Sequence, residues 1–198
     1  MHRDPDQMPE LIPELEDIRS RLIASRATAA SVAEGLSDDE FNRRPDPESW
    51  SVCECLDHLN VVGARLCEAF DAGLERAHRE GLFARGHYRY GFLERWFARA
   101  SSEVSPPRRK RVRTLRVYEP RGGQSVANVL ANYHNLQTNL VERVEAANGI
   151  DIARLKIRSP ATRWVRLSLG QWLQLVAGHQ ERHLEQAWQA RRRTSGGA

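Results

Sequence analysis

The chain has 198 residues, with 30 Lys and Arg against 26 Asp and Glu and a formal net charge of +4. At 40% hydrophobic residues and a mean hydropathy of −0.61 it fits a soluble globular protein, and at this length roughly 70% of the unfolded surface can be buried, which excludes global disorder. No run approaches the roughly 18 apolar residues of a membrane span.

The basic residues are nearly all arginine, Lys110 and Lys156 excepted. That skew reflects base composition better than phosphate recognition. Cys53, Cys55 and Cys67 are an odd set in one short segment, which argues against a disulfide framework. The N-terminus, Met1-His2-Arg3-Asp4-Pro5-Asp6, lacks the apolar stretch of a signal peptide, so a cytoplasmic location is expected.

In chain order, Leu11, Leu15, Ile18, Leu22, Ala29, Val32 and Leu36 recur at threes and fours, the stripe of an amphipathic helix. Pro13 is tolerated because it lies in the first turn. Gly35 closes the helix, and Ser37-Asp38-Asp39-Glu40 spells a capping box for a short extra turn. The prolines of Pro45-Asp46-Pro47 then impose an extended turn.

A second long helix opens at Ser51-Val52-Cys53-Glu54, again a capping box, and buries Val52, Cys55, Leu59, Val62, Leu66 and Phe70 before stopping near Gly81. Gly81 to Gly123 reads as a crossover with a short helix within Tyr88 to Phe97 and a basic stretch. A third helix runs from about Ser125 to Ala147 with Val126, Val129, Leu130, Tyr133, Leu136, Leu140 and Val144 inward. The fourth opens at Ser168-Leu169-Gly170-Gln171 and continues toward Arg191, whose basic end suits the helix dipole. The pattern predicts an all-α four-helix bundle with a long crossover between its second and third long helices, with one domain over 10–190 and flexible ends at 1–9 and 191–198.

His179-Gln180-Glu181-Arg182-His183 places two imidazoles one helical turn apart, where both reach one metal ion. Chance alone gives about 0.2 such pairs in a chain with this many histidines. The pair continues the stripe of Trp172 and Val176, so both rings face the bundle interior. Unpartnered, each would cost about 1 to 3 kcal/mol to bury. Satisfied core histidines and metal ligands both answer that cost. His58, beside the Cys55, Leu59 and Val62 face, is the candidate third ligand.

The segments Trp50-Ser51-Val52-Cys53-Glu54-Cys55-Leu56-Asp57-His58-Leu59-Asn60, Ser159-Pro160, Ser168-Leu169 and His179 to Gln186 resemble the DinB/YfiT-like superfamily. The resemblance extends from Leu11 to Ala187. It implies a four-helix bundle holding one divalent metal through His58, His179 and His183. Gln180 stands where similar proteins commonly carry Glu. Three neutral imidazoles leave a coordination position open for an acidified water or a substrate thiolate. Similar proteins include thiol-dependent transferases and isomerases and proteins suggested to be hydrolases; zinc and nickel both accept imidazole. Homodimerisation is implied by resemblance alone.

Other residues invite two readings each. Glu54 caps its helix or orients His58; His134 supports the site or is a partly exposed helix residue; Trp50 and Trp172 line a pocket or pack the core. Cys53 and Cys55 point to different sides of their helix, against joint metal binding. The basic run Arg108-Arg109-Lys110-Arg111-Val112-Arg113, with Arg116 beyond, follows Pro-Pro and has no interleaved aromatics, so nucleic-acid binding is disfavoured. Two functions remain: a metal-dependent hydrolase or thiol-dependent transferase acting on a small molecule, or a non-catalytic dimeric or ligand-binding bundle.

Overall fold

A computed structural model describes residues 10–84, 86, 88, 115–162 and 164–195. Its helices are α1 (Pro13–Ala33), α2 (Asp38–Asn42), α3 (Val52–Glu80), α4 (Val126–Ala146) and α5 (Leu169–Ser195), with a 3-10 turn at Arg116–Tyr118 and two strands, β1 (Lys156–Arg158) and β2 (Arg166–Ser168). The expected short helix within Tyr88 to Phe97 and the basic run 108–113 lie outside the described residues.

Local chemistry sets the helix starts. Ser37 with Glu40 and Ser51 with Glu54 form reciprocal capping boxes, and Ser168 with Gln171 exchanges the same pair of bonds ahead of α5. At the other end of α3, Gly81 adopts φ +64 and its N–H bonds the Ala77 and His78 carbonyls, a left-handed stop that a Cβ would disfavour.

Tertiary hydrogen bonds fix the helix directions. Arg21 grips Glu181 and Arg191 reaches the Ser31 and Val32 carbonyls, so α1 and α5 are neighbours running the same way. Asn60 donates to the Val129 carbonyl and Arg143 to Asp71, so α3 and α4 are also parallel. Across the two pairs the sense reverses: Arg19 meets Glu145, and Arg193 meets Asp46 at the entry to α3. The order is therefore up, down, down, up, with α1 and α3 on a diagonal. A parallel α3–α4 pair requires the chain to travel back along α3, about 43 Å for its 29 residues. That return is what the long crossover accomplishes.

The stripes read from periodicity form the core. Leu15, Ile18, Leu22, Phe70, Leu140 and Val144 are buried in one cluster; Val52, Cys55, Leu59, Val129 and Tyr133 lie in a second at the α3 start. Leu11, Leu36, Val62, Val126 and Leu130 are only partly buried. The antiparallel hairpin, in register Ile157 with Leu167, was not expected. It caps one end of the bundle, where Ile157 packs on Gly73 of α3. Among the described residues no helix is long and apolar enough to cross a membrane.

Candidate metal centre

The capping box at Ser51 and Glu54 starts α3 about two turns ahead of His58. From α5, His179 and His183 project one turn apart toward it. Ring centroids are 5.2 Å apart for His58 and His179, 4.7 Å for His58 and His183, and 4.5 Å for His179 and His183. One ligand nitrogen from each ring lies within 4.8 Å of the other two, and among the described residues this is the one such group of three or more His, Cys, Asp or Glu side chains able to hold a metal ion.

Two rings are oriented by bonds from their inner nitrogens. His58 Nδ1 lies 2.8 Å from the Tyr118 carbonyl, which has no hydrogen to give, so Nδ1 donates and Nε2 keeps its lone pair. His183 Nδ1 donates in the same way to Gln186 Oε1 at 2.9 Å. An outer hydrogen bond of this kind fixes the tautomer a metal ligand needs.

Electrostatics agree with the geometry. Burial holds His179 well below the ordinary histidine value, and the neighbouring His183, His58 and Arg182 add to the effect. His183 is lowered to about 3, first by burial, then by His58 and Arg182, with the Gln186 bond opposing. Burial lowers His58 too, opposed by the Tyr118 carbonyl. All three rings are thus neutral near pH 7, the protonation state of an imidazole ligand. The donor set, its convergence and the free Nε2 of His58 and His183 fit a divalent ion.

Trp50 covers the group. Its indole stacks on His183 at 5.7 Å and 28° and tilts against His58 at 4.9 Å. Glu54 turns the other way: its carboxylate accepts from Arg44 Nε at 2.8 Å and from the Ser51 N–H at 3.0 Å. Burial raises its pKa, but Arg44 and Ser51 outweigh that and leave it lowered. His134 is half-buried on α4; burial and then the charge of Arg26 on α1 lower its pKa, and it makes no ring contact with the three histidines. Trp172 is buried in the core and donates its Nε1–H to the Ile157 carbonyl at 3.0 Å, which ties α5 to the hairpin.

The three cysteines are free and buried. Burial pushes Cys53 and Cys67 up to about 11 and Cys55 higher still, so none is a ready thiolate. Gln180, next to His179, points instead into the core, where its Oε1 accepts from the Tyr133 hydroxyl at 2.7 Å and from Gln137 at 3.1 Å. Sequence reasoning missed Tyr118, because a backbone carbonyl leaves no residue signature. Gln186 lies within the histidine motif, and its bond to His183 Nδ1 is visible only in the fold.

Fold and site together define a helical bundle whose two antiparallel helices, α3 and α5, build a three-histidine group suited to a metal ion. A family model of the DinB superfamily matches residues 21–187, and the chain belongs to that superfamily. No curated protein and no solved structure matches it.

Proposed function

We propose that His58, His179 and His183 hold one divalent ion, zinc or nickel, and that the protein is a metal-dependent enzyme acting on a small molecule, as a hydrolase or as a transferase using a low-molecular-weight thiol. The observation that carries this reading is the convergence of one nitrogen from each of three neutral imidazoles, with Tyr118 and Gln186 holding Nδ1 of His58 and His183 so that Nε2 of those two rings keeps its lone pair. When bound, such an ion supplies Lewis acidity to a ligand in its open position. The chain's own residues hold that position: α3 and α5 set the rings, and Trp50 walls one side from water.

A non-catalytic ligand-binding or dimeric bundle is the second reading, and one observation favours it. The carboxylates nearest the site are engaged elsewhere, Glu54 by Arg44 and Asp57 by the Arg121 N–H, so neither is directed at the histidines to move a proton. Homodimerisation and a cytoplasmic location belong to the proposal on resemblance and composition.

Elemental analysis of protein purified without an affinity tag tests the metal. Wild type is expected to carry near one equivalent and His179→Ala almost none; wild type without near-stoichiometric metal overturns the proposal. Ester, amide and thiol-transfer substrates assayed with and without the ion then separate enzyme from binding protein. Turnover that follows the metal content selects the first reading.

A further inference from the structure

We infer that Asp57 is a positioning residue for the metal centre: its buried carboxylate pins the end of the crossover so that the Tyr118 carbonyl holds His58 with Nε2 facing the ion. The inference rests on the metal-binding reading above. Asp57 and His58 are consecutive on α3, and they grip the same strand of crossover three residues apart. Asp57 Oδ2 accepts the Arg121 N–H at 2.7 Å, while His58 Nδ1 donates to the Tyr118 carbonyl at 2.8 Å.

The piece between these grips is stiff. Glu119 is extended at φ −64 and ψ 128, as a residue before proline prefers, and Pro120 has its φ locked by the ring. Fixing Arg121 therefore fixes where the Tyr118 carbonyl sits. Beyond Arg121 the strap is buckled to α2, with the Gly123 N–H on Asn42 Oδ1 at 2.7 Å and the Val126 N–H on Asp38 Oδ1 at 2.8 Å. Those bonds hold the far end. Asp57 holds the end next to the histidine.

Burial makes the grip consequential. Asp57 is 2% exposed and His58 4%, so neither can exchange its partner for bulk water. Without the pin, Tyr118 is free to drift, and His58 loses the acceptor that keeps its hydrogen on Nδ1. Either ring nitrogen can then carry the hydrogen, and part of the population presents N–H to the ion.

The test uses the full chain and two readouts. In metal-free wild type, nitrogen NMR should place the His58 hydrogen on Nδ1, and the Arg121 amide should exchange slowly. Asp57→Ala should speed Arg121 exchange, give mixed His58 tautomers and weaken zinc affinity about 10- to 100-fold. Asp57→Asn keeps an acceptor oxygen and should restore most of all three. Leu74→Ala, about 24 Å further along α3, should lower stability while leaving tautomer and zinc affinity unchanged.

An unaltered His58 tautomer and zinc affinity in Asp57→Ala would overturn the inference, and so would equal loss of affinity in Leu74→Ala. Should Asp57→Ala not fold, Asp57→Asn decides: the Arg121 amide and the His58 tautomer holding together or loosening together supports the pin, and a faster Arg121 amide beside an unchanged single tautomer, or mixed tautomers beside a slow amide, overturns it. If wild type binds no zinc yet Asp57→Ala shifts the tautomer as described, the metal reading fails while the positioning of His58 stands.

Discussion

The hydroxyl of Tyr133 on α4 donates to Gln180 Oε1 on α5 at 2.7 Å, joining two helices that are not neighbours around the bundle through its buried centre. Gln137 donates to the same oxygen at 3.1 Å. Gln180 is one residue from His179, so the same orientation of α5 that seats this bond in the core turns His179 toward His58. The side chain at 180 therefore acts on the bundle interior, and its identity as an amide keeps a charge out of a position that is 1% exposed.

Tyr133→Phe removes one of the two donors and should cost about 1 kcal/mol, whereas Gln180→Ala strands both donors in the core and should cost about 2 to 3 kcal/mol. Urea unfolding measures both. Equal costs for the two substitutions would show that the shared acceptor is not the centre of the network.

Much of this architecture was readable because its punctuation is chemical. Ser37 with Glu40, Ser51 with Glu54 and Ser168 with Gln171 mark helix starts by side chain, and Gly35, Gly81 and Gly149 take positive φ just past or near helix ends. The histidines were legible because i, i+4 spacing maps directly onto one helix face. The hairpin was not, since strands of three residues are too short to show alternation. Nor was the burial of α3 on every side from Val52 to Leu59, which puts Glu54, Asp57 and His58 all out of water. Periodicity reports one buried face; the second covering comes from Tyr118 to Gln124, which act largely through backbone groups.

Metal removal should be visible in stability. An ion at about 100 times its Kd adds about 2.7 kcal/mol to the native state, which for a chain of this size corresponds to roughly 5 to 10 °C in Tm. Chelator treatment should lower Tm by that order, and zinc or nickel should restore it. In His183→Ala the chelator should have no effect; a chelator shift that survives that substitution places the ion elsewhere.

Trp50 offers an optical report. Its indole lies 4.9 Å from the His58 ring and 5.7 Å from that of His183, while Trp172 is tied to the Ile157 carbonyl in the core. Nickel titration should quench tryptophan emission with saturation at one equivalent. Trp50→Phe should abolish most of the quenching and leave the stoichiometry intact, which scattered surface binding would not do.

Gly63 lets α3 and α4 approach closely. A Cβ there would lie 2.6 Å from both terminal methyl carbons of Leu136 and 3.1 Å from its Cγ. Leu136 must move, so Gly63→Ala should destabilise by about 1 to 3 kcal/mol despite the better helix propensity of alanine. Shortening the facing side chain relieves the clash, so the double variant Gly63→Ala/Leu136→Ala should be less destabilised than the sum of the singles. Simple additivity in chemical denaturation would remove Leu136 as the cause.

The capping box that starts α3 carries a pH signature. Glu54 has its pKa lowered in the folded protein below the ordinary 4.5, with Arg44 and Ser51 outweighing the opposing effect of burial. A lowered carboxylate stabilises the fold fully above its unfolded value and loses that contribution as pH falls through the folded value. Arg44 is about half exposed, with its side chain at 47%, so solvent screens the ion pair and the cost of Glu54→Gln at pH 7 is about 1 kcal/mol. As pH falls below the ordinary 4.5 and through the lower folded value, wild type loses the same interaction and the two proteins should converge in stability. Urea midpoints at pH 7, 5 and 3 check this, and a gap that persists undiminished at pH 3 would show that Glu54 acts through shape and packing, with its charge contributing nothing.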